Sequence, residues 1–400
     1  MRILIVTDAF LPARTSVAVM LNELAQKFLV DGHEVYIVVP AEGLQTDFRV
    51  VQEYGCHIIS VKAFATKDIS YVKRLIVEFI NPFIIRQRLL CQGWFRDLGI
   101  NGIIWYSPSI FWGPFIRTLK MHFKCRTYLI LRDLFPDWAW HLKLIRIRPI
   151  FWLLKWIANF QYSQADCIGV QSPNNLTYFA SHQPNLIGKV EVLWNWGRQV
   201  NAKDLITPSI NFKKTNLANK PILIYTGNVG VAQDMGQILN FIHLVKDRDD
   251  VGIAIIGRGS HMQALRDYLL KHQTQNIFIH EEINPNEIPL LLKQCIGGLI
   301  FLDRRHKTHN IPGKLTDYLQ AGLPVLAFIN EGNDLLEIVD TNKVGIASSS
   351  SDYVDINQSI DQFLRLVHED KGVSQRCLEL SQSLFSLSKA ASQIINNLNK

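Results

Sequence analysis

The residues that most strongly suggest chemistry lie in the stretch 310–328, NIPGKLTDYLQAGLPVLAF. Pro312 and Gly313 predict the start of a helix, which a Gly-Leu-Pro break ends before an apolar strand. Lys314 and Asp317 are three residues apart, so they share one face of the first turn. Because the helix dipole disfavours a cation there, Lys314 indicates a nearby anion such as a diphosphate. Asp317 could accept hydrogen bonds from ribose hydroxyls, although a plain surface pair of the two residues is the alternative.

Two glycine-bearing turns add to this pattern. In YTGNVGVAQDMGQILNF (225–241), Gly227 and Gly230 follow a predicted strand and precede a predicted helix. In IIGRGSHMQAL (255–265), a Gly-Arg-Gly turn has the same position. Glycine allows close backbone approach, and a helix start offers N–H groups to an anion. Each turn alone is equally compatible with a simple connection, but three such places in one region favour a phosphate ligand.

Short apolar strands alternate with longer amphipathic segments along the whole chain. This alternation predicts parallel sheets covered by helices on both faces. The predicted strands of the first half are RILIVT, HEVYIVV, GIIWY, RTYLIL, ADCIGV and KVEVLW, and those of the second half are PILIYTG, VGIAIIG, NIFIHE, IGGLIFL and LPVLAF.

A polar segment without clear periodicity, 197–220, is predicted to link two α/β domains. We expect one domain over 1–200, a second over 201–380, and a C-terminal helix over 381–400 that returns to the first domain. Ligands of such sheets bind at the carboxyl ends of the strands, so a central cleft between two doubly wound, Rossmann-like domains is the expected site.

Composition sets further bounds. The chain has 400 residues, 48% of them hydrophobic and 19% charged, and no run is long enough to predict a membrane span. The N-terminal MRILIVTDAF lacks the order of a signal peptide and is predicted to be a strand. Six scattered cysteines without a CxxC pair favour reduced thiols in a cytoplasm.

Positive charge is concentrated in the first half of the chain. Residues 1–199 hold 22 Lys and Arg against 14 Asp and Glu, whereas residues 200–400 hold 20 against 21. This asymmetry indicates an anionic partner for the first half. Because basic residues are accompanied by tryptophans there, as described below, we expect a membrane surface and no nucleic acid.

At these motifs the chain resembles glycosyltransferase family 4, the retaining nucleotide-sugar transferases of GT-B fold. The resemblance spans nearly the whole chain and rests on YTGNVGVAQDM, the Gly-Arg-Gly turn, and PGKLTDYLQAGLPVLAF followed by EGNDLLEIV. Within the family, the loop Gly227–Gln233 and the segment DLFP at 133–136 resemble bacterial O-antigen and capsule transferases, including N-acetylfucosamine transferases.

The resemblance implies that the domain over 1–200 binds the acceptor and the domain over 201–380 binds the nucleotide sugar. It also implies a set of donor-binding residues. Backbone N–H groups near the start of the helix at 312–315 would bind the donor diphosphate, Asp317 would bind the ribose, and the donor is expected to be UDP-linked. The full set is Gly227, Asn228, Gly230, Gln233, Arg258, Gly259, Ile283, Arg304, Pro312, Gly313, Lys314, Leu315 and Asp317.

The chain departs from the family pattern at several positions. His309 stands where the family has a sugar-binding carboxylate, and Gln233 where it often has a phosphate-binding lysine; Arg258, Lys314, Arg304 or Arg305 could compensate. The family's glycine pair after the first strand is missing. Arg132 and Asp133 lie where the family often places a histidine near the acceptor, so with His309 they are the catalytic candidates, although Asp133 could simply cap a turn.

The reaction implied needs little acid–base machinery. In a retaining transfer without a double displacement, the leaving diphosphate itself can help to deprotonate the acceptor, while helix N-termini and cations stabilise its charge. Because no D-x-D-type motif occurs, we expect no metal and no cofactor.

A basic, tryptophan-rich stretch suggests the acceptor. Residues 139–160 contain no acidic residue, and basic residues with interfacial tryptophans are typical of a helix lying on a membrane surface. Residues 73–90 are similar, and two buried helices are the alternative. The predicted membrane and acceptor residues are Lys143, Arg146, Arg148, Trp152, Lys155 and Trp156.

The sequence therefore predicts a cytoplasmic enzyme bound peripherally to the inner face of the membrane. It would transfer a sugar, a hexose or an N-acetylamino sugar, from a nucleotide sugar to a lipid-linked saccharide during O-antigen or capsule synthesis. A GT-B epimerase and a catalytically silent GT-B subunit are the alternatives. The sugar, linkage and oligomeric state stay open.

Overall fold

The computed structural model describes residues 1–13, 15–66, 70–95, 98–198, 202–230, 233–307 and 310–400, with the backbone alone for residues 71, 72 and 202. These residues form two compact units. The first consists of Met1–Trp194 and Leu387–Lys400, and the second of Asn195–Ser386. The first unit thus ends before the predicted boundary at residue 200, and the last segment of the chain belongs to it.

The described residues of the first unit form one eight-stranded sheet and seven α-helices. Its strands are β1 (Arg2–Val6), β2 (Glu34–Ala41), β3 (Phe48–Glu53), β4 (Cys56–Lys62), β5 (Gly102–Tyr106), β6 (Arg126–Ile130), β7 (Cys167–Val170) and β8 (Val190–Val192). Its helices are α1 (Ser16–Val30), α2 (Tyr71–Cys91), α3 (Gly113–Phe123), α4 (Asp137–His141), α5 (Arg148–Gln164), α6 (Pro173–His182) and α14 (Leu387–Leu398).

The strand order of this sheet is β3-β4-β2-β1-β5-β6-β7-β8. All neighbours are parallel except β3 and β4. The chain runs outward from β1 on one side and from β5 on the other, so the order reverses between these two strands. That reversal is where ligands of doubly wound sheets bind. Residues of α2, α3, α5 and α6 build the core on one face of the sheet.

The antiparallel pair was missed from the sequence, which predicted purely parallel sheets. β3 and β4 are joined by Tyr54 and Gly55, both with positive φ (54° and 74°), and Glu53 pairs with Cys56. Two consecutive residues of positive φ are typical of a type I′ hairpin turn. Tyrosine is a poor signal for such a turn, which explains why the hairpin escaped prediction.

The second unit contains a six-stranded parallel sheet. Its strands are β9 (Ile222–Asn228), β10 (Gly252–Arg258), β11 (Ile277–His280), β12 (Gly297–Phe301), β13 (Val325–Phe328) and β14 (Gly345–Ser348). Its helices are α7 (Met235–Val245), α8 (Met262–His272), α9 (Ile288–Leu292), α10 (Gly313–Gln320), α11 (Asp334–Asn342), α12 (Tyr353–Glu369) and α13 (Val373–Leu384). Five of these strands were predicted, and β14 was missed.

The strand order of the second sheet is β11-β10-β9-β12-β13-β14, so its reversal lies between β9 and β12. The core beside it includes Tyr225, Phe241, Phe301, Phe328 and Phe363. Both units are therefore doubly wound α/β sheets, which confirms the predicted fold class.

The segment 197–220 is not a free linker, as the sequence suggested. Its described part packs into the second unit, where Ile210, Phe212 and Leu217 are buried. Gly197 donates a backbone hydrogen bond to Phe385 (3.2 Å). These apolar residues have neither helical nor strand spacing, so the periodicity of the sequence did not reveal their burial. Within the described residues, no helix is long and apolar enough to cross a membrane.

Candidate active site

The loop after β9 lies at the reversal point of the second sheet. It is held against the end of β10, where Val229 N–H donates to the carbonyl of Arg258 (2.7 Å). Gly257 leaves no room for a side chain, because a Cβ there would lie 1.8 Å from the carbonyl oxygen of Gly227. Gly259 has φ +142°, and its Cβ would lie 2.2 Å from the carbonyl oxygen of Val229. The glycines identified in the sequence therefore bring two loops into backbone contact.

Gln233 closes the β9 loop on itself. Its Oε1 accepts hydrogen bonds from Gly230 N–H (3.1 Å) and from Asn228 Nδ2 (3.4 Å). A neutral amide can make both contacts, whereas a lysine at this position could not accept either of them. The departure from the family pattern thus has a structural role here.

The helix α10 begins beside this loop. Pro312 is the residue before its first turn, with extended backbone geometry (φ −68°, ψ 135°). Leu315 N–H donates to the carbonyl of Pro312 (3.0 Å). The N–H groups of Gly313 and Lys314 have no acceptor in the part of the chain that the structure describes, as expected for a first helical turn. This end of α10 can therefore bind an anion.

Lys314 is positioned by an aromatic ring. Its Nζ lies 3.4 Å from the ring centroid of Tyr225, whose hydroxyl donates to the carbonyl of Asn228 (2.6 Å). This chain of contacts joins the start of α10 to the β9 loop. Burial lowers the pKa of Lys314 well below its ordinary value, and only Asp317 opposes that shift. An anion bound beside Lys314 would therefore favour the charged form of this lysine.

Asp317 lies one turn further along the same helix face and is half-buried. Burial raises the pKa of its carboxyl to about 6, although Arg198 and Lys314 act in the opposite direction. No ion pair within 4.0 Å joins Lys314 to Asp317, so the two residues do not form the plain surface pair that the sequence allowed. Among the described residues, Asp317 accepts no hydrogen bond, which leaves both carboxylate oxygens available.

Two arginines follow β12 at the same edge of the sheet. Arg305 pairs with the fully buried Asp303 through Nε (2.9 Å). Arg304 donates to the carbonyl of Ser350 and, with the amide suitably oriented, to Gln237 (3.0 Å). Arg304 is therefore anchored in the protein, while the half-exposed guanidinium of Arg305 remains at the surface.

The remaining donor candidates lie at neighbouring strand ends. Arg258, the last residue of β10, is largely exposed and pairs with Glu282 (3.1 Å). Ile283 follows β11 and is half-buried. Because the carboxyl ends of parallel strands share one edge of a sheet, these residues lie on the same side of the second unit as the β9 loop. His309 falls outside the described residues.

The catalytic candidates of the first unit have different surroundings. Arg132 is buried, and its Nη1 donates to the carbonyl of Leu193 (2.6 Å). This contact ties the end of β6 to the segment after β8, so Arg132 has a clear structural task. Asp133 is half-buried in the loop before α4. The catalytic roles assigned to both residues stay predictions.

The structure divides the predicted membrane residues into two groups. Lys143, Arg146, Arg148, Trp152 and Trp156 are exposed, the tryptophans by 64% and 67%.

Lys155 is different, and its assignment to that surface is wrong. It is 8% exposed and pairs with the buried Asp137 (2.6 Å), and it also donates to the hydroxyl of Tyr178. Asp137 lies eighteen positions earlier in the chain, outside helical reach, so the ion pair was not predictable from helical spacing.

Two residues that support the site were missed from the sequence. Tyr225 positions Lys314, and its only signal was an aromatic residue just before a glycine loop. Arg198 influences Asp317 and donates to Asn286 (2.6 Å). It lies in the segment predicted to be a linker, so nothing in the local pattern marked it.

The comparison with known proteins agrees with this geometry. No family model matches the chain. The chain is 25% identical over 328 residues to the probable glycosyltransferase WbjE of Pseudomonas aeruginosa, covering 80% of each protein. It is 21% identical over 344 residues to the putative colanic acid biosynthesis glycosyl transferase WcaI of Escherichia coli K12, covering 80% of this chain and 82% of WcaI.

Solved structures show the same fold. Sucrose-phosphate synthase from Thermosynechococcus elongatus has a TM-score of 0.73 at 13% identity, with 99% of this chain and 97% of that chain covered. Anabaena HepE in complex with UDP-glucose has a TM-score of 0.64 at 11% identity, covering 100% and 99%. WaaG, a glycosyltransferase involved in lipopolysaccharide biosynthesis, has a TM-score of 0.66 at 11% identity, covering 98% and 99%. With the two sequence relatives, the fold identifies the chain as a glycosyltransferase of the GT-B fold.

Proposed function

We propose that the protein transfers a sugar from a UDP-linked donor, with retention of anomeric configuration, to a lipid-linked saccharide in the synthesis of a bacterial surface polysaccharide. The observation that carries this proposal is the pair of half-buried charges at the start of α10. Lys314 and Asp317 have no ion-pair partner within 4.0 Å among the described residues, and they lie beside a glycine loop at the reversal point of the second sheet.

The donor diphosphate fits the cation and the helix start. Free N–H groups of Gly313 and Lys314 would donate to phosphate oxygens, and the Lys314 ammonium would neutralise part of the charge. Binding would also restore the charged state of Lys314, because a nearby anion raises the pKa that burial lowers. Arg305, fixed by Asp303, is a second cation at this edge of the sheet.

The ribose fits Asp317. A carboxylate can accept hydrogen bonds from both hydroxyls of a nucleoside, and this one has no competing donor among the described residues. The proposal of a UDP-linked donor draws on HepE, whose structure contains UDP-glucose. The reaction needs no strong protein base in this account, because the leaving diphosphate can receive the proton of the acceptor hydroxyl.

The membrane surface is proposed from the inverted pattern of α5. A helix on a protein surface normally buries its apolar residues. In α5 the exposed face carries Trp152, Leu153 and Trp156 (64%, 57% and 67% exposed), while Lys155 and Gln161 are buried. Contiguous exposed apolar residues mark interaction sites.

Exposed cations and further apolar residues lie just before and at the start of that helix. Leu144, Ile147 and Ile150 are 50%, 57% and 42% exposed and alternate with the exposed cations Lys143, Arg146 and Arg148. Tryptophan suits the headgroup level of a bilayer, and basic side chains suit anionic lipids. A lipid-linked acceptor would be reached from such a surface. The names of the relatives, a colanic acid transferase among them, support a polysaccharide product.

The donor site is tested by calorimetric titration of UDP into the wild type and Lys314→Ala. We expect the substitution to weaken binding by about 1.5–3 kcal/mol, the typical contribution of a hydrogen bond to a charged group. The matched control is Lys271→Ala, an exposed lysine in the last turn of α8, which should leave the affinity unchanged. Equal UDP affinity of the wild type and a folded Lys314→Ala variant would contradict the assignment.

A further inference from the structure

The first unit has its own reversal point, between β1 and β5, which none of the predicted catalytic residues occupies. Val6 and Trp105 are paired in register near the ends of these two strands. Asp8 and Ser107 each follow two residues later. Hydrogen bonds from Thr7 to Val38 (3.1 Å) and from Ser107 to Ile130 (3.0 Å) continue the sheet to this level. Asp8 and Ser107 therefore follow two adjacent strands at the same edge of the sheet.

Asp8 is held in place through one of its oxygens. Its Oδ1 accepts a hydrogen bond from Trp112 Nε1 (3.1 Å). Trp112 is itself fixed, since its backbone N–H donates to Gln161 Oε1 (3.1 Å) and its side chain is fully buried. In the described part of the chain, Oδ2 of Asp8 accepts no hydrogen bond. A carboxylate has acceptor capacity for several donors, so most of that capacity is unused.

Ser107 is a second, independent sign of a ligand. It is fully buried, and its hydroxyl has no hydrogen-bond partner among the described residues. Buried polar groups are nearly always satisfied, and an unsatisfied one costs about as much as a lost hydrogen bond. Within the described structure, Asp8 has a free carboxylate oxygen, and Ser107, after the adjacent strand, has an unsatisfied hydroxyl. Both follow strands at the ligand-binding edge of a doubly wound sheet, which suggests a polar ligand with hydroxyl groups.

The charged groups around Asp8 come from α2. Glu78 and Arg74 form an ion pair there (2.7 Å). Burial and the Glu78 charge raise the pKa of Asp8 to about 7, while the Trp112 hydrogen bond and Arg74 act in the opposite direction. As the pH falls below this value, the carboxyl loses its charge and its charge-assisted hydrogen bonds weaken.

We propose that Asp8 and Ser107 form a subsite for the acceptor saccharide, in which the Asp8 carboxylate accepts a hydrogen bond from a sugar hydroxyl and Ser107 pairs with the same or an adjacent hydroxyl. This subsite rests on the proposed glycosyl transfer and names the part of the first unit that positions its acceptor. It leaves the proton of the reacting hydroxyl to the leaving diphosphate, so Asp8 is a binding group rather than the base.

The test uses purified full-length protein, a radiolabelled UDP-sugar that binds by calorimetry, and the polyprenyl lipid extract of the cells that make the protein. We expect Asp8→Asn to raise the amount of extract needed for half-maximal transfer about tenfold, as for the loss of a charge-assisted hydrogen bond. In the wild type this amount should rise as the pH falls through about 7, because protonation removes the acceptor. Asp8→Asn should lack this acidic limb.

Glu78→Gln and Ser107→Ala make the test specific. Removing the Glu78 charge lowers the pKa of Asp8, so the acidic limb should move to lower pH while transfer is retained. Ser107→Ala should weaken use of the extract severalfold. UDP affinity should be unchanged in all three variants, which shows that they fold and separates this subsite from the donor site.

Two results would overturn the subsite. In one, Asp8→Asn keeps the extract requirement and the acidic limb of the wild type. In the other, Glu78→Gln leaves the limb where it was, which would assign the limb to another group. Absence of transfer by the wild type despite UDP binding would contradict the proposed lipid-linked acceptor, and the subsite with it.

Discussion

At the scale of single residues, the donor site depends on charges kept in unfavourable surroundings. Burial raises the pKa of Asp317 and lowers that of Lys314, so each residue is more readily neutral than it would be in water. Such shifts are common at functional sites. A bound ligand that offers an opposite charge or a hydrogen bond favours the charged form of the residue, and this adds to the affinity. The two residues therefore respond to pH in opposite directions.

Asp317 gives a prediction with a defined sign. Only its charged form accepts two hydrogen bonds from a ribose, and its pKa in the free protein is about 6. UDP affinity should therefore fall as the pH drops through about 6, and Asp317→Asn should weaken binding at pH 8 and remove this part of the pH dependence. Calorimetric titrations of both proteins between pH 5 and pH 8 measure it, and the difference between them cancels the titration of UDP itself.

Inorganic diphosphate is the control ligand for Asp317. It lacks a ribose, so Asp317→Asn should change its affinity far less than that of UDP. A variant that lost affinity for both ligands equally would place Asp317 at the phosphates instead of the ribose.

The central residues of the proposed donor site were recognisable in the sequence, and the residues that support them were not. Lys314 and Asp317 were recognisable because they share a helix face directly after Pro-Gly. Tyr225 and Arg198 were not, because they contact Lys314 and Asn286, which lie far from them in the chain. Lys155 was assigned wrongly for the same reason, because its partner Asp137 lies on another helix.

At the scale of elements, the two glycine loops depend on close backbone contact. Gly259→Ala would require a strained φ of +142° and a shift of the Val229 carbonyl, 2.2 Å from the new Cβ. Strain of this kind costs about 1–3 kcal/mol. We therefore expect lower stability in urea unfolding and weaker UDP binding, because the β9 loop must move.

Gly188→Ala is the matched glycine control. Nothing lies within 4 Å of its added Cβ, and its φ is not in the left-handed region. Its stability should change by less than about 0.5 kcal/mol. If Gly259→Ala matched this control in both stability and UDP affinity, the loop contact would have no role.

The buried, apolar strands at the centre of the second sheet were predictable, whereas the edge strands β3 and β14 were missed. β9, β10 and β12 form the centre of their sheet and read as continuous apolar runs. β3 is an edge strand with mostly exposed residues, and β14 contains only Gly345–Ser348. Their sequences carry a weak pattern because only a small part of their surface is buried.

At the scale of the whole molecule, we expect the protein to attach reversibly to anionic membranes. Trp152→Ser with Trp156→Ser should reduce sedimentation with phosphatidylglycerol vesicles at both low and high salt, because it removes apolar contact. Alanine substitution of Lys143, Arg146 and Arg148 should reduce it mainly at low salt, because salt screens charge.

Leu270→Ser is the matched control, since Leu270 is also a largely exposed apolar residue (78%) but lies in the second unit. It should not change vesicle binding. Lys155 should not contribute to vesicle binding. Lys155→Met leaves Asp137 buried without a partner, so it should lower the free energy of unfolding by several kcal/mol and lower the melting temperature. Equal sedimentation of the wild type and the double tryptophan variant would exclude α5 from membrane binding.

The most direct test of the central claim is transfer of radiolabel from a UDP-sugar to the polyprenyl lipid extract, followed by assignment of the anomeric configuration of the new linkage. We expect the label to appear in the lipid fraction, and its transfer to be lost or reduced in Lys314→Ala. We also expect the new linkage to retain the anomeric configuration of the donor. Label released only as free or epimerised sugar would instead support an epimerase or hydrolase. Absence of any turnover despite UDP binding would support a catalytically silent subunit.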